Sequence, residues 1–254
     1  MRTVKVIGVG MGNPRHLTQE ALDALRSVDV FFVLEKGSAA DELVKVRRDL
    51  CRAVIGTGDY RFVTVPDPPR DRSTTAYAQA VQDWTAARSH VLLDAMETHL
   101  EPGQTAGILA WGDPAFYDST LRVLDTGRTR GHLEVQVVPG ISSIQMLAAA
   151  HRISLTRVGR PLQVTTGRRL AEEGIPSACH DVVVMLDGHC SFQHVDPDGL
   201  HIYWGADLGG PDQAIVSGEL GEVADAILAR RAEIRSRRGW VMDTYLLRQD
   251  IPHR

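Results

Sequence analysis

The chain has 254 residues, 43% of them hydrophobic, which is typical of a globular protein with one large or two small domains. Its formal net charge of −4 disfavours a nucleic-acid-binding module, because such modules usually carry a strong basic excess. The three cysteines are odd in number and lack metal-site spacing, which indicates reduced thiols in a reducing compartment. Neither a signal-peptide pattern nor an apolar run of the ~20 residues needed to span a membrane is visible, so we predict a cytoplasmic protein.

Strand-like apolar runs alternate with amphipathic helix patterns along the chain. In chain order, the predicted strands are 4–9, 30–34, 61–65, 105–110, 133–138, 162–166, 181–186, 201–204 and 240–247. The predicted helices are 17–28, 43–50, 73–100, 121–124, 144–152 and 219–234. Such alternation predicts an α/β fold with mostly parallel sheets and helices on both faces.

The stretch "VVPGISS" at 137–143 interrupts this alternation. Pro139 cannot donate within a strand ladder, and Gly140 permits a sharp turn. We therefore predict two α/β domains, covering residues 1–138 and 139–254.

A glycine-rich stretch, "VIGVGMGNP", follows the first strand. Glycines at this point let a ligand or another backbone approach closely. Glu35, at the end of the second strand, is placed like a ribose-binding acid, so a nicotinamide-dependent oxidoreductase remains an alternative. The G-x-G-x-G spacing and Pro14, which separates the loop from the helix, weaken that alternative, and a simple tight turn also explains the glycines.

Three further stretches place polar residues at strand ends, where open α/β sheets bind ligands. "LAWGDPAFYDST" contributes Asp113, Tyr117 and Asp118, "VVPGISS" contributes two serines, and "VVVMLDGH" contributes Asp187. Local turn and cap hydrogen bonds would also explain these acids and serines. The ten histidines form no H-x-x-x-H or H-E-x-x-H pattern, so we predict no metal. Neither a G-x-S-x-G nor a G-x-x-x-x-G-K motif is present, which disfavours hydrolases and kinases.

In this order and spacing, the motifs resemble those of the tetrapyrrole methylases: "GVGMGNP", "WGDPAFY" and "VPGISS" match the family's "GxGxGDP", "GDP" and "VPGxS". Asn13 stands where the family usually has Asp. The resemblance implies a two-domain tetrapyrrole methylase fold, with S-adenosylmethionine in the inter-domain cleft, in a homodimer. From the net charge and the lack of a long apolar run, we expect neither nucleic-acid nor membrane partners.

Carried over residue by residue, the resemblance implies cofactor contacts from the "GDP" loop, the "PGxS" turn and strand ends of the second domain. These are Trp111, Gly112, Asp113, Phe116, Ser142, Ser143, Leu186 (or Met185, one position earlier), Asp187, Thr244 and Tyr245. Gly10 and Gly12 are implied on the tetrapyrrole side. Arg70 and Arg72 are expected to bind substrate carboxylates, since arginine pairs well with them.

Longer stretches such as "DVFFVLEKG", "WGDPAFYDSTLR" and "GWVMDTYLLR" resemble one branch of the family. That branch implies a C-methyltransferase of cobalamin (corrin) biosynthesis, in which precorrin-5, S-adenosylmethionine and water give precorrin-6A, S-adenosylhomocysteine and acetate. Methylation occurs at C-1. A methylase acting at another ring position and a non-catalytic tetrapyrrole carrier are the alternatives within this resemblance.

Loss of the acetyl group calls for a general base and for a donor to the developing oxyanion. We expect Asp118, Lys36 and Tyr117 in these roles, with Glu35 and Asp243 as further candidates by position.

Overall fold

The computed structural model describes residues 2–35, 41–69, 77–129 and 131–249. Within it the chain divides into two compact units, Met1–Ser142 and Ser143–Arg254.

The first unit is built on a five-stranded sheet that is parallel throughout. Its strands are β1 (Arg2–Gly8), β2 (Val30–Glu35), β3 (Arg61–Pro66), β4 (Thr105–Ala110) and β5 (Leu133–Val138). Its helices are α1 (Gln19–Arg26), α2 (Asp41–Ile55), α3 (Tyr77–His99) and α4 (Thr120–Thr129). The strand order is β3-β2-β4-β1-β5, so the carboxyl ends of β1 and β4 are adjacent.

Both faces of this sheet are buried, because successive strand side chains point to opposite sides. Val4 and Val6 of β1 pack in one apolar cluster with residues of α3 and α4. Ile7 belongs to a second cluster, on the other face, with residues of α1 and α2. The predicted α/β class with helices on both faces is therefore confirmed for this unit.

The second unit contains a five-stranded sheet of order β6-β7-β10-β8-β9. Its strands are β6 (Gln163–Thr166), β7 (Asp181–Met185), β8 (Leu200–Ala206), β9 (Ala214–Glu219) and β10 (Asp243–Gln249). Its helices are α5 (Ser143–His151), α6 (Gly167–Glu173) and α7 (Leu220–Arg238). Its core surrounds the fully buried Trp204, Tyr245 and Phe192.

The expectation of a mostly parallel arrangement is wrong for this second sheet. Only β6 and β7 run parallel, whereas β10 pairs antiparallel with both β7 and β8, and β9 pairs antiparallel with β8. No helix connects β8 to β9, and a connection that short makes an antiparallel hairpin, since a parallel crossover needs a dozen or more residues. Strand β9 and helix α6 were not predicted from the sequence.

All three cysteines are buried as free thiols. In the described part of the chain, none of the helices combines the length and apolar character needed to cross a bilayer.

Candidate functional site

The glycine-rich loop and the "GDP" loop meet at the carboxyl edge of the first sheet. The N–H of Gly10 donates to the carbonyl of Gly112 over 3.1 Å, and the N–H of Gly112 donates back over 2.7 Å. Gly10 and Gly12 have φ angles of 62° and 87°, in the left-handed region that favours glycine. The structure thus brings the first two motifs into direct backbone contact.

Three glycines from three different motifs pack backbone against backbone. A Cβ on Gly140 would lie 2.2 Å from the carbonyl oxygen of Gly112, and a Cβ on Gly8 would lie 2.5 Å from the nitrogen of Gly140. Glycines near the end of the first strand were expected to let a ligand or another backbone approach closely. At Gly8, the last residue of β1, the group that approaches is the backbone of Gly140.

The side chain of Asp113 fastens the "GDP" loop to the "PGIS" turn. Its Oδ1 accepts a hydrogen bond from the N–H of Ala115 at 2.8 Å, which closes a local turn. Its Oδ2 accepts one from the N–H of Gly140 at 2.9 Å. Asp113 consequently sets the shape of both loops.

Trp111 lies beneath the glycine-rich loop. A Cβ on Gly12 would meet the Trp111 ring and Val46 at 3.0 Å, and the guanidinium of Arg47 lies 5.1 Å from the ring centroid. The indole Nε1 is buried, and no hydrogen-bond partner for it is found among the described residues. A buried N–H without an acceptor costs about 1–3 kcal/mol, so this nitrogen would favour a ligand that supplies an acceptor.

Arg47 of α2 joins the same neighbourhood, and sequence reasoning did not single it out for function. Its Nε donates to the carbonyl of Leu109 at 3.2 Å. Burial lowers the pKa of Arg47 to about 10, while the negative charge of Asp118 acts in the opposite direction. The signal available in the sequence was an arginine within the apolar stripe of a helix.

The segment after the "GDP" loop presents aromatic side chains to solvent and holds a carboxylate in a turn. Phe116 and Tyr117 are 37% and 46% exposed, and Tyr117 adopts a φ of 50°. The half-buried Asp118 accepts a hydrogen bond through Oδ1 from the N–H of Thr120 at 2.6 Å. Its carboxylate therefore has a fixed position at the start of α4.

The local geometry argues against a pyrophosphate site at the first loop. Asn13 caps a 3₁₀ turn at Pro14–His16, accepting from the N–H of Arg15 at 3.0 Å. Helix α1 begins only at Gln19, where Thr18 Oγ1 accepts from the N–H of Ala21. Asn13 is thus a competent cap in place of Asp, and the glycine loop does not lead into the helix as a dinucleotide site requires.

In the second unit, the strand end after β7 is strained and exposed. Leu186 has a φ of 55° and is 67% exposed. A leucine in the left-handed region is uncommon and persists only where surrounding contacts enforce it. Those contacts come from the next residue, Asp187.

The carboxylate of Asp187 is 5% exposed and accepts four hydrogen bonds. The N–H of His189 and the hydroxyl of Ser191 donate to Oδ1, at 3.1 and 3.0 Å. The N–H of Ser191 and the hydroxyl of Tyr245 donate to Oδ2, at 2.6 and 2.7 Å. Burial raises the pKa of Tyr245, and the charge of Asp187 adds to that effect.

Tyr245 reaches Asp187 from strand β10, which pairs with β7 in a register that places Tyr245 opposite Val184. Thr244 is also buried, and its hydroxyl donates to the carbonyl of Val184 at 2.8 Å. Among the predicted cofactor residues of this unit, Leu186 is thus exposed, whereas Asp187, Thr244 and Tyr245 are enclosed and hold the strand end.

Asp243 is engaged in a buried ion pair. Its Oδ2 lies 2.9 Å from Nε of Arg231 and accepts from the indole of Trp204 at 3.0 Å. Burial raises the pKa of Asp243, and the charge of Arg231 opposes that shift. Arg231 also donates to the carbonyl of Asp187 at 3.0 Å, so this pair supports the strand end, a role that disfavours Asp243 as a base.

Two of the predicted cofactor residues, Ser142 and Ser143, lie at the junction between β5 and α5. Ser142 is 1% exposed, and Ser143 is the first residue of α5. Lys36, Arg70 and Arg72 lie outside the described residues. In the portions of the chain that the structure describes, no group of three or more potential metal-ligating side chains is found.

Comparisons with known proteins agree with the motif resemblance. The chain is 43% identical over 251 residues to a deacetylating precorrin-6A synthase of Sinorhizobium sp, a match that covers 98% of this chain and 96% of the relative. A solved structure of a cobalamin synthesis related protein (CobF) from Corynebacterium diphtheriae superposes with a TM-score of 0.81 at 33% identity, covering 98% of this chain and 99% of that one.

A more distant structure shares the fold. It is uroporphyrin-III C-methyltransferase from Thermus thermophilus, solved with S-adenosylhomocysteine, with a TM-score of 0.58 at 18% identity. The match covers 97% of this chain and 92% of that one. The family model described as Tetrapyrrole (Corrin/Porphyrin) Methylases matches residues 3–224. The chain therefore belongs to the tetrapyrrole methylases.

Proposed function

We propose that this protein is a methyltransferase of corrin biosynthesis that converts precorrin-5, S-adenosylmethionine and water into precorrin-6A, S-adenosylhomocysteine and acetate. The observation that carries the proposal is the 43% identity, over nearly the whole of both chains, to a deacetylating precorrin-6A synthase. The reaction methylates C-1 of the macrocycle and removes its acetyl group.

Bound S-adenosylmethionine supplies a methyl group already activated on a sulfonium, so the protein must mainly hold donor and acceptor in line. Positioning of this kind can contribute about 7–11 kcal/mol of a reaction barrier. The two loop systems described above suit that task, because each is fixed by buried hydrogen bonds or by backbone packing. In each loop system, the aspartate that sets the shape is itself held by two or more hydrogen bonds.

In the first unit, we assign cofactor contacts to Trp111, Gly112, Asp113 and Phe116. The buried Trp111 nitrogen, which finds no acceptor among the described residues, fits a ligand that brings one. The exposed Phe116 offers an apolar surface to a nucleoside. Asp113 contributes by holding the loop, since both of its oxygens are engaged with backbone N–H groups. Ser142, the last residue of this unit, and Ser143, the first residue of the second, are also proposed cofactor contacts.

In the second unit, we assign the direct contact to Leu186, whose side chain is exposed at the end of β7. Asp187, Tyr245 and Thr244 act by fixing its backbone, because their polar side-chain atoms bond to one another or to strand carbonyls.

For acetyl loss, we propose Asp118 as the general base, with Tyr117 and Lys36 as donors. Asp118 is half-buried, fixed by the N–H of Thr120, and near the positive charge of Arg47. A general base must be held at a defined position, and the hydrogen bond from Thr120 provides that for this carboxylate. Gly10, Gly12, Arg70 and Arg72 are proposed to bind the tetrapyrrole. The homodimer and cytoplasmic location also stay predictions.

The first test is calorimetric titration of the full chain with S-adenosylhomocysteine, on the native protein and on Asp113→Ala. The variant loses the clamp between two loops, so we expect its affinity to fall by about tenfold or more, equivalent to ~1.4 kcal/mol. Asp125→Ala is the control, since Asp125 lies on α4 and its side chain forms a solvent-exposed ion pair with Arg128. A folded native protein that binds no S-adenosylhomocysteine would refute the proposed function.

A further inference from the structure

A buried arginine of α3 links three separate segments at the carboxyl edge of the first sheet. Nε of Arg88 lies 2.7 Å from Oδ1 of Asp67, and their side chains are only 7% and 4% exposed. Nη1 of Arg88 donates to the hydroxyl of Ser119 at 2.5 Å. The guanidinium also lies 4.4 Å from the ring centroid of Trp84, in a cation–π contact.

Asp67, the acidic partner of Arg88, is held at the ends of two neighbouring strands. Asp67 directly follows β3, and its N–H donates to the carbonyl of Glu35, at the end of β2, over 3.0 Å. The indole of Trp84 donates to the carbonyl of Pro68 at 2.9 Å. Through Asp67 and Ser119, Arg88 therefore connects the ends of β2 and β3 to the loop that follows β4.

The loop that receives this contact carries the proposed base. Ser119 is the residue after Asp118, and Asp118 accepts its hydrogen bond from Thr120, on the other side of Ser119. A displacement of Ser119 would therefore move the Asp118 carboxylate. Burying an ion pair has a large desolvation cost, so such a pair is weak evidence for stability, and in some proteins it fixes a specific geometry instead.

We propose that Arg88 and Ser119 are positioning residues that hold the carboxylate of Asp118 for the loss of the acetyl group. This inference rests on the proposed function. In that step, the oxygen of water bonds to the acetyl carbonyl carbon while Asp118 accepts the proton. The bond from that carbon to the macrocycle then breaks, its electron pair stays on the macrocycle, and acetate leaves.

The test uses Ser119→Ala and Ser119→Thr in the full chain, with acetate release from precorrin-5 measured under steady-state conditions. Ser119→Ala removes the acceptor for Arg88 but leaves the ion pair with Asp67 intact. We expect kcat to fall by about tenfold or more, because misplacing a catalytic group by a small distance has effects of this size. KM and the affinity for S-adenosylhomocysteine should stay within about twofold, and Ser119→Thr, which keeps a hydroxyl, should restore kcat.

A double-mutant cycle distinguishes positioning from a general loss of stability. If Ser119 acts through Asp118, then adding Ser119→Ala to Asp118→Asn should lower kcat no further. Ser89→Ala is the matched control, because Ser89 is the buried neighbour of Arg88 on α3 and its hydroxyl has no hydrogen-bond partner within the described ranges. It should leave kcat unchanged.

Unaltered kcat in Ser119→Ala, failure of Ser119→Thr to restore it, or additive losses in the double variant would each overturn the inference while leaving the proposed function intact. A native protein that binds S-adenosylhomocysteine but releases no acetate from precorrin-5 would overturn the proposed reaction, and the inference with it.

Discussion

Two aspartates that the motifs mark as ligand contacts prove to be clamps of the chain itself. Asp113 accepts hydrogen bonds from Ala115 and Gly140, and Asp187 accepts hydrogen bonds from its own loop and from Tyr245. A carboxylate that accepts several N–H or O–H groups is held firmly, since hydrogen bonds to charged groups contribute about 1.5–3 kcal/mol each. At the residue scale, these acids fix the shape of the loops that carry them.

Tyr245→Phe tests the second clamp. The substitution removes the hydroxyl that donates to Asp187 at 2.7 Å but keeps the ring, which packs edge-on against Phe192. We expect the free energy of unfolding to fall by about 1.5–3 kcal/mol, because a buried carboxylate loses a donor. We also expect the affinity for S-adenosylhomocysteine to fall by up to about tenfold, since Leu186 would be held less firmly in its left-handed conformation.

Urea denaturation and calorimetry measure these two effects. Tyr60→Phe is the control, because the hydroxyl of Tyr60 donates to the carbonyl of Gly56 in an exposed setting, and its loss should change stability by less than about 0.5 kcal/mol. Equal stability of Tyr245→Phe and the native protein would show that the hydrogen bond to Asp187 does not stabilise the strand end.

At the scale of elements, the parallel strands of the first sheet bring three loops to one edge, and glycine allows those loops to touch. Strand β1 lies between β4 and β5, so the loops that follow these three strands are neighbours. Gly8, Gly112 and Gly140 then meet through their backbones. The glycines of the three motifs are therefore explained by close packing of the chain with itself, in addition to any ligand contact.

Gly140→Ala tests this packing. Its Cβ would lie 2.2 Å from the carbonyl oxygen of Gly112, and a backbone atom in a sheet-end bridge cannot move aside easily. We expect a loss of about 3 kcal/mol in the free energy of unfolding, at the upper end of ordinary overpacking, measured by urea denaturation with circular dichroism.

Gly58→Ala is the corresponding control in the same unit. Its Cβ would make only ordinary contacts, the nearest at 3.6 Å from Tyr60, so its stability should be close to that of the native protein. If both alanine variants had the same stability, the backbone contact would be looser than the structure indicates.

At the scale of the whole molecule, the unfolding of each unit can be followed separately by the reactivity of its cysteine thiols. Cys51 lies in the first unit, Cys179 and Cys190 lie in the second, and all three are buried. Burial raises the pKa of the Cys51 thiol to about 12 and raises that of Cys190. A thiol with a raised pKa stays protonated at pH 8 and reacts slowly, because the thiolate is the nucleophile.

We therefore expect no fast-reacting thiol in the native protein at pH 8 and three in strong denaturant, measured with a chromogenic disulfide reagent. At intermediate urea concentrations, one reactive thiol would indicate opening of the first unit, and two would indicate opening of the second. A stoichiometric fast reaction in the native protein would contradict the burial of these side chains.

The sequence by itself determined the α/β class, the family and the strand ends that carry its motifs. These are local properties: hydrophobic periodicity reports strands and helices, and a strand followed by Gly, Asp and Ser marks a loop at a sheet edge. The spacing of "GVGMGNP", "WGDPAFY" and "VPGISS" is sufficient to indicate a tetrapyrrole methylase.

Only the tertiary structure decided which strands pair in the second sheet and which polar side chains meet. Alternation along the chain predicted parallel strands, but β10 returns between β7 and β8 and runs against both. Asp187 finds Tyr245, and Arg88 finds Ser119, across long stretches of chain. Periodicity describes the faces of one element, whereas these contacts depend on strand order and register, which are set by packing of the whole core.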